Sequence, residues 1–291
     1  WADPDAGIHF QYIVQFRESI FMLIDAHNHP NWHGHDAGKI LENMDAQGID
    51  IMWLLTWECP GRDYDPGLNA HLPPTGGVIP FGDVLSVSRQ APERFILGYM
   101  PDPKRADAID RLKAAVEIHG VRLAGELKVR VPFDDPDLMR MYRFCGEMGL
   151  PITIHLEYAI DRGPSYPRPN TWYGGTMEAL ERALQANPET IFIGHAKGFW
   201  AHISGDGLHN KIPSPKGPVL PEGKVSQMLD QYDNLYADLS GNGVPALDRD
   251  HTFSREFIVE FQDKLLFARD HFHRNLMDLL LKLDLPEDVF E

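Results

Sequence analysis

The sequence predicts an α/β fold of the (β/α)8 type, a TIM barrel formed by a single domain. Short apolar segments typical of buried parallel strands alternate with amphipathic helical segments, and eight such units occur between residues 21 and 283. A chain of 291 residues is long enough to close a barrel of this type. No Gly-x-Gly-x-x-Gly motif follows a predicted strand, which disfavours the alternative of an open doubly wound sheet.

The first predicted strand covers residues 21–25, FMLID, and two histidines follow it. Side chains alternate across a strand, so His27 and His29 emerge on one face where the strand ends. Two imidazoles on one face lie within reach of one metal ion. A second His-x-His pair, His33 and His35, lies in a glycine-rich loop and is interpreted as loop histidines without a metal.

The remaining units follow in order, each with a helix, a short turn and an apolar strand. The first helix ends at Gly48, and Asp135 is the expected N-cap of the helix that starts at Pro136. Strands two to eight are predicted at 49–57, 94–100, 121–130, 150–157, 190–196, 234–240 and 264–270. Helices are predicted at 37–48, 81–93, 106–120, 135–149, 176–188, 224–232, 254–263 and 273–283.

The loops differ on the two ends of the predicted strands. Helix-to-strand turns are short, whereas the strand-to-helix loops at 58–77, 158–175 and 197–223 are long and rich in proline, glycine and aromatic residues. In TIM barrels the strand-to-helix loops form the C-terminal face, where active sites are built. We therefore expect the functional site on that face, together with His27 and His29.

The composition favours a small-molecule or neutral partner. The chain carries 43 acidic and 27 basic residues, a formal net charge of −16, which would repel nucleic acid and anionic membranes. No apolar stretch is long enough to suggest a membrane span. The two cysteines, Cys59 and Cys145, are too few for a disulfide framework.

We predict an N-terminal extension at 1–20 and the barrel domain at 21–291. The extension contains an apolar segment that could cap the barrel or cross to a neighbouring subunit, so a homo-oligomer stays an open alternative. Because the sequence starts with Trp1, we expect a processed or trimmed form. The compartment stays open: the cytoplasm is favoured, and export is the alternative.

Further polar residues stand at the ends of apolar strands. His155, His195 and Asp270 each follow an apolar segment that would bury them, and burial of an unpaired imidazole or carboxylate is costly. In a barrel these strand ends meet at one face, where His27 and His29 are also expected. Four strands that end in histidine or aspartate therefore predict a shared metal site.

The motifs that carry these residues are IDAHNHP, GLPITIHLE, IFIGHAKG and LLFARD, in this order. Their combination resembles the amidohydrolase superfamily, in particular its amidohydrolase-related branch with the aminocarboxymuconate semialdehyde decarboxylase-like enzymes. The resemblance covers about residues 21–275. It implies that His27, His29, His155 and Asp270 hold the metal, and that His195 orients the attacking water or polarises the substrate.

Two places leave the ligand set open. The family often has GTD or GSD where this chain has ARD at 268–270, a departure expected to change the rim of the pocket but not Asp270. On strand four, alternation places Glu126, Lys128 and Arg130 on one face. Glu126 is a candidate metal ligand, with an ion pair to one of the two bases as the alternative.

Several residues of the same face are candidates for substrate binding. Lys128 and Arg130 suit an anionic group of a substrate, because the guanidinium in particular matches a carboxylate. Glu157 is a weaker candidate for substrate binding. Trp57 is a candidate for an apolar wall over the metal, with packing of the loop as the alternative. The other aromatic residues of these loops are Trp32, Tyr158, Trp172, Tyr173 and Trp200.

The predicted function is metal-dependent hydrolysis of an amide, ester or lactone bond in a small molecule. We expect one zinc ion, with manganese, cobalt or nickel also compatible, and two ions if Glu126 or a carboxylated Lys128 bridges them. Zinc lowers the pKa of bound water from 15.7 towards about 7, so that Asp270 can take the proton while His195 stabilises charge on the substrate. The alternatives are a decarboxylase or hydratase of an unsaturated or aromatic acid, and a barrel that binds metal or ligand without turnover.

Overall fold

The computed structural model describes residues 22–60, 63, 79–160, 171–212 and 214–290. Within these residues eight parallel strands follow one another in chain order, in two hydrogen-bonded groups, β1 to β3 and β4 to β8. The strands are β1 (Ile24–Asn28), β2 (Ile51–Leu54), β3 (Phe95–Leu97), β4 (Ala124–Leu127), β5 (Ile152–His155), β6 (Phe192–His195), β7 (Leu235–Asp238) and β8 (Leu265–Leu266).

Backbone hydrogen bonds close the two groups into one barrel. A parallel bridge pairs Gly98 with Leu123, and so joins the ends of β3 and β4. On the other side Ala26 N donates to Phe267 O at 2.9 Å, which joins β1 to the segment after β8. The predicted TIM barrel is therefore confirmed.

Helices cover the outside of the barrel, and most agree with the predicted helices to within a few residues. They are α1 (Ala37–Gln47), α2 (Phe81–Ser88), α3 (Ala108–His119), α4 (Pro136–Met148), α5 (Met177–Ala186), α6 (Ala196–Trp200), α7 (Lys224–Gln231), α8 (Gly243–Leu247), α9 (His251–Phe261) and α10 (Asn275–Lys282). Short 3-10 turns lie at Trp32–Gly34, Pro92–Arg94, Ala201–Ile203, Gln262–Lys264 and Glu287–Phe290. None of the helices in the described ranges is long and apolar enough to cross a membrane.

The helix ends follow the sequence signals. Gly48 adopts a left-handed conformation at the end of α1, with φ +68°, which glycine adopts without steric cost. The Asp135 side chain accepts a hydrogen bond from the Asp137 backbone N–H and caps α4 as predicted. The two five-residue helices α6 and α8 were not predicted, because a single apolar turn in a loop has no periodicity to detect.

Strands β2 to β8 are shorter than predicted, whereas β1 has the predicted length and is shifted along the chain. Apolar residues continue past the point where the ladder of hydrogen bonds ends, so burial alone overestimates strand length. β1 is Ile24–Asn28 instead of 21–25, which places His27 inside the strand, and its register shifts between Asp25 and Asn28. The predicted extension at 1–20 lies outside the described residues.

Antiparallel bridges close the bases of two long loops on the C-terminal face. After β2, Trp57 and Ile79 exchange two backbone hydrogen bonds of 3.0 and 2.8 Å. After β5, Glu157 and Tyr173 do the same at 3.2 and 2.9 Å. The first residue of each bridge is therefore held next to the strand that precedes it.

Candidate metal centre

Most of the predicted metal-site residues lie together at the C-terminal ends of the strands. His27 is in β1, and His29 is the first residue after β1. Glu126 is in β4, His195 ends β6, and Asp270 follows β8. The four residues other than Asp270 are at most 3% exposed, whereas the Asp270 side chain is 17% exposed. The barrel thus brings side chains from four sequence-distant elements into one buried group.

The Nε2 atoms of three histidines face this group. His27 Nε2 and His29 Nε2 are 3.3 Å apart, and Asp270 Oδ1 is 3.9 Å from the first and 3.6 Å from the second. His195 Nε2 lies 3.8 Å from Asp270 Oδ2. Ligand atoms of one tetrahedral zinc, each bonded at 2.0–2.1 Å, are about 3.3 Å apart. The observed separations are close to that spacing.

Glu126 lies between the histidines instead of pairing with a base. Its Oε2 is 3.4 Å from His29 Nε2, and its Oε1 is 3.6 Å from His195 Nε2. Among the described residues no ion pair joins Glu126 to Lys128 or Arg130, the alternative that the strand pattern had left open. The carboxylate is thus in position to act as a ligand.

His155 adjoins the centre through Glu126 and His195, and the group of ligand atoms that includes it does not include His27 or His29. It ends β5, its Nδ1 is hydrogen-bonded to Glu126 Oε1, and its Nε2 is 3.3 Å from Glu157 Oε2. Both ring nitrogens therefore face carboxylates, which would bind an imidazolium or orient a ligand. Together with Glu126 and His195, His155 forms a second, overlapping group of side chains that could hold a metal ion.

Sequence analysis missed Asp238, the last residue of β7. It is fully buried, and its two carboxylate oxygens accept hydrogen bonds from His27 Nδ1 at 2.8 Å and His195 Nδ1 at 2.9 Å. Ser240 Oγ donates to the same carboxylate at 2.7 Å. The signal was present, because NLYAD is an apolar segment that ends in a carboxylate, as LLFARD does at Asp270.

The carboxylates of the centre are held in the ionised form. Burial raises the pKa of Asp270, but the neighbouring His27, His195 and His29 outweigh it and hold that pKa below its ordinary value. Burial likewise raises the pKa of Glu126, and the charges of Lys128 and His155 bring it well below the usual range. Ionised carboxylates are the form that binds a cation.

Lys128 is buried beside the centre. Its Nζ lies 4.4 Å from the ring centroid of Trp57 and 5.6 Å from that of Tyr173. The indole N–H of Trp57 donates to Lys128 O at 2.9 Å, and this bond holds the Trp57 ring next to Lys128. The predicted partner Arg130 is only half-buried, and its Nε has no hydrogen-bond partner among the described residues.

The ARD departure does not change the rim of the pocket, which corrects that expectation. The Arg269 side chain is 2% exposed, and its Nε donates to Asp25 Oδ2 at 2.8 Å. Its Nη1 donates to the side chains of Asn43 and Gln47 on α1 at 3.0 and 2.9 Å. Arg269 therefore ties the segment after β8 to β1 and α1.

The donor set fits a divalent transition metal. Imidazole nitrogens and carboxylate oxygens converge in a buried group, and no thiol belongs to it. Zinc takes such mixed nitrogen and oxygen ligands, and manganese, cobalt and nickel accept them too.

The family model described as amidohydrolase matches residues 24–289. Among solved structures, an uncharacterised TIM-barrel protein from Bordetella bronchiseptica is 15% identical, with TM-score 0.60 and coverage of 92% of this chain and 94% of that chain. A dihydroxybenzoic acid decarboxylase from Polaromonas with bound manganese and 2-nitroresorcinol is 15% identical, with TM-score 0.57 and 93% coverage of both chains.

A probable 2-pyrone-4,6-dicarboxylic acid hydrolase from Acinetobacter baumannii, with citric acid bound, is 11% identical. Its TM-score is 0.55, and the match covers 92% of this chain and 94% of that chain. At such identities these likenesses establish the fold. No curated protein matches the chain.

Proposed function

Because the chain belongs to the amidohydrolase family, we propose that it is a metal-dependent hydrolase of a small molecule that carries a carboxylate. The bond cleaved is an amide, ester or lactone. The observation that carries this proposal is the close approach of His27, His29 and Asp270, whose facing atoms lie 3.3–3.9 Å apart, with His195 Nε2 at 3.8 Å from Asp270. Such a group offers both ligands and a base.

Asp270 is the residue suited to move the proton. It is the most exposed carboxylate of the group, at 17%, and its lowered pKa leaves it ionised at neutral pH. When bound, the metal ion acts as a Lewis acid towards water and the substrate carbonyl. Asp270 then accepts the proton of the attacking water and returns it to the leaving oxygen or nitrogen as the carbonyl carbon–heteroatom bond breaks.

The remaining residues of the centre would hold the metal ion or orient the groups around it. His27, His29 and Glu126 supply nitrogen and oxygen ligands, with His155 as a further ligand or as an orienting group for Glu126. The ring of His195 faces the same space, and its Nε2 orients the attacking water by accepting a hydrogen bond. These assignments account for every histidine at a strand end.

Lys128 supports a carboxylate on the substrate. Its ammonium is buried beside two aromatic rings, where an attraction to a carboxylate is screened far less than in water. Two of the structures of similar fold are named for acids, a dihydroxybenzoic acid and a pyrone dicarboxylic acid. We propose that this chain likewise acts on a small carboxylic acid.

The second candidate is a non-oxidative decarboxylase of an aromatic acid. The buried ammonium of Lys128, flanked by the rings of Trp57 and Tyr173, favours the carboxylate of an aromatic acid. In this reaction the carbon–carboxylate bond breaks, a proton replaces the carboxyl group and carbon dioxide leaves. Asp270, which is ionised, would first accept a proton from water and then deliver it to the ring carbon.

The test starts from natively purified protein analysed for metal. Carboxylate-bearing lactones, esters and amides are assayed for hydrolysis, and hydroxybenzoates for release of carbon dioxide, with zinc and with manganese. We expect metal-dependent hydrolysis that falls about 100-fold or more in Asp270→Asn, since general base catalysis is worth that much. Asp248→Asn, an exposed carboxylate bonded to His251, is the matched control.

Release of carbon dioxide without hydrolysis would select the second candidate. Full activity of Asp270→Asn would refute the role of that residue in either reaction. Activity that survives complete removal of metal would refute both candidates.

A further inference from the structure

One carboxylate holds two histidines of the candidate centre. Asp238 Oδ2 is 2.8 Å from His27 Nδ1, and Asp238 Oδ1 is 2.9 Å from His195 Nδ1. The two rings stack on each other, with centroids 4.1 Å apart and an angle of 29° between their planes. His27 comes from β1 and His195 from β6, so Asp238 joins elements from opposite parts of the chain.

These contacts are hydrogen bonds and not a further metal site. Asp238, His27 and His195 also form a group whose ligand atoms are within 4.8 Å of one another. Ligand atoms around one zinc, bonded at 2.0–2.1 Å, would be about 3.3 Å apart. The observed nitrogen–oxygen distances of 2.8 and 2.9 Å are those of charge-assisted hydrogen bonds.

The bonds determine the tautomer of both rings. An ionised carboxylate can only accept, so the hydrogen of each bond must sit on Nδ1 of the imidazole. In the neutral ring the lone pair is then on Nε2, which faces Asp270 at 3.9 Å in His27 and 3.8 Å in His195. His27 can therefore bind a metal ion through Nε2, and His195 can accept a hydrogen bond there.

Further hydrogen bonds fix the orientation of the Asp238 side chain and backbone. Its Oδ1 also accepts from the Ser240 backbone N–H at 3.1 Å and from Ser240 Oγ, and its backbone carbonyl accepts from Trp200 Nε1 at 3.0 Å. Gly241 has φ +66°, and a Cβ there would lie 2.8 Å from His195 Cε1. The segment after β7 thus packs directly against the ring that Asp238 orients.

We propose that Asp238 is a positioning residue that fixes the tautomer and orientation of His27 and His195 together, and so couples metal binding to the placement of the catalytic imidazole. The catalytic part of this role rests on the proposed function. The orientation of the rings does not, because it follows from contacts within the metal-free chain. Of the two carboxylate oxygens of Asp238, Ser240 contacts only Oδ1, which is bonded to His195, and does not contact the oxygen that is bonded to His27.

The test is a comparison of three variants with the wild type, without substrate. Long-range proton–nitrogen NMR spectra of protein labelled with 15N-histidine report the tautomer of each ring in the metal-free protein. Zinc affinity is measured by competition with a chelator. The variants are Asp238→Asn, Ser240→Ala and, as matched control, Asp206→Asn, which removes a buried charge paired with Arg249 instead of histidines.

In the wild type we expect the Nδ1–H tautomer for His27 and His195. The amide of Asp238→Asn has one acceptor oxygen and one donor group, so at most one ring keeps that tautomer. We expect zinc affinity to fall 10- to 100-fold, as is typical when the partner of a ligating histidine is removed. Ser240→Ala should move the resonances of His195 alone, and Asp206→Asn should match the wild type.

Unchanged tautomers and unchanged zinc affinity in Asp238→Asn would overturn the proposal. If that variant does not fold, the wild type decides, since an Nε2–H tautomer on either ring of the metal-free protein would overturn it as well. Failure of the hydrolysis assays with these spectra as expected would refute the proposed function and leave the positioning role in place.

Discussion

Arg269 and Asp25 form a buried ion pair across the closure of the barrel. Arg269 Nε donates to Asp25 Oδ2 at 2.8 Å, and the Arg269 backbone N–H donates to Asp25 Oδ1 at 3.0 Å. The two side chains are 2% and 0% exposed. The pair therefore fixes the segment that carries Asp270 against the strand that carries His27.

Removal of one partner of this pair should destabilise the protein strongly. We expect Arg269→Ala to lower the free energy of unfolding by about 3–5 kcal/mol, because it leaves the carboxylate of Asp25 buried without its charge partner. Urea unfolding of the metal-free protein measures the change. Asp45→Ala, which removes only the partly exposed pair with Arg94, is the control and should cost less than about 1 kcal/mol. Equal effects of the two variants would contradict the prediction.

Metal content should be one ion per chain, with Glu126 among the groups that hold it. Glu126 contacts His29 and His195 at 3.4 and 3.6 Å, so Glu126→Gln removes a charge from the centre of the group. We expect zinc affinity to fall at least about tenfold. Elemental analysis and chelator competition check both points. Two ions in the wild type would instead identify Glu126 as a bridging ligand.

Zinc should also stabilise the protein through its ligands. A ligand that binds only the folded state at 100 times its dissociation constant adds about 2.7 kcal/mol. We expect such a gain in the wild type and its loss in His29→Ala, measured by urea unfolding with and without zinc. His251→Ala, at an exposed histidine, is the control. A gain of the same size in His29→Ala would exclude His29 as a ligand.

Lys128 should determine the preference for acidic ligands. Lys128→Met keeps the length of the side chain and removes the ammonium that lies over Trp57. We expect affinity for a competitive carboxylate inhibitor to fall about 10-fold or more, while affinity for its neutral amide analogue changes little. Inhibition constants for the two compounds measure this difference. An equal loss for both would indicate a packing role for Lys128.

His202 should make stability depend on pH below neutrality. Burial, aided by the charge of His209, lowers the pKa of His202 to about 3, whereas the unfolded value is about 6.5. Between these values the unfolded chain binds the extra proton, so stability is complete above pH 6.5 and is lost as the pH falls towards 3. We expect His202→Asn to flatten the pH dependence of urea unfolding between pH 7 and 5. An unchanged slope would refute the assignment.

The sequence is sufficient to predict the barrel and most of the centre. The period of strands and helices is long and regular, and the C-terminal ends of parallel strands must meet at one face. His27, His29 and His195 are therefore brought together by topology alone. Their roles, and that of Asp270, stay predictions until metal and activity are measured.

Two features depended on contacts that no local pattern encodes. Asp238 follows the same pattern as the histidines, but its function as a shared acceptor becomes visible only when β1, β6 and β7 are assembled. The ARD segment at 268–270 was expected to change the pocket rim, but the buried partner of Arg269, Asp25, lies on β1 and is 244 residues away in sequence. β8 has only two residues, and Asp270 adopts φ +54°, so strand alternation does not place these side chains either.

Two antiparallel bridges, Trp57 with Ile79 and Glu157 with Tyr173, anchor the ends of two loops that could be replaced by other segments. Each bridge fixes the ends of its loop independently of what lies between them. The entropy of closing a loop grows only with the logarithm of its length, about 0.6 kcal/mol for each doubling. Segments grafted from other barrels between these anchors can therefore alter substrate range while the residues that perform the chemistry stay untouched on their strands.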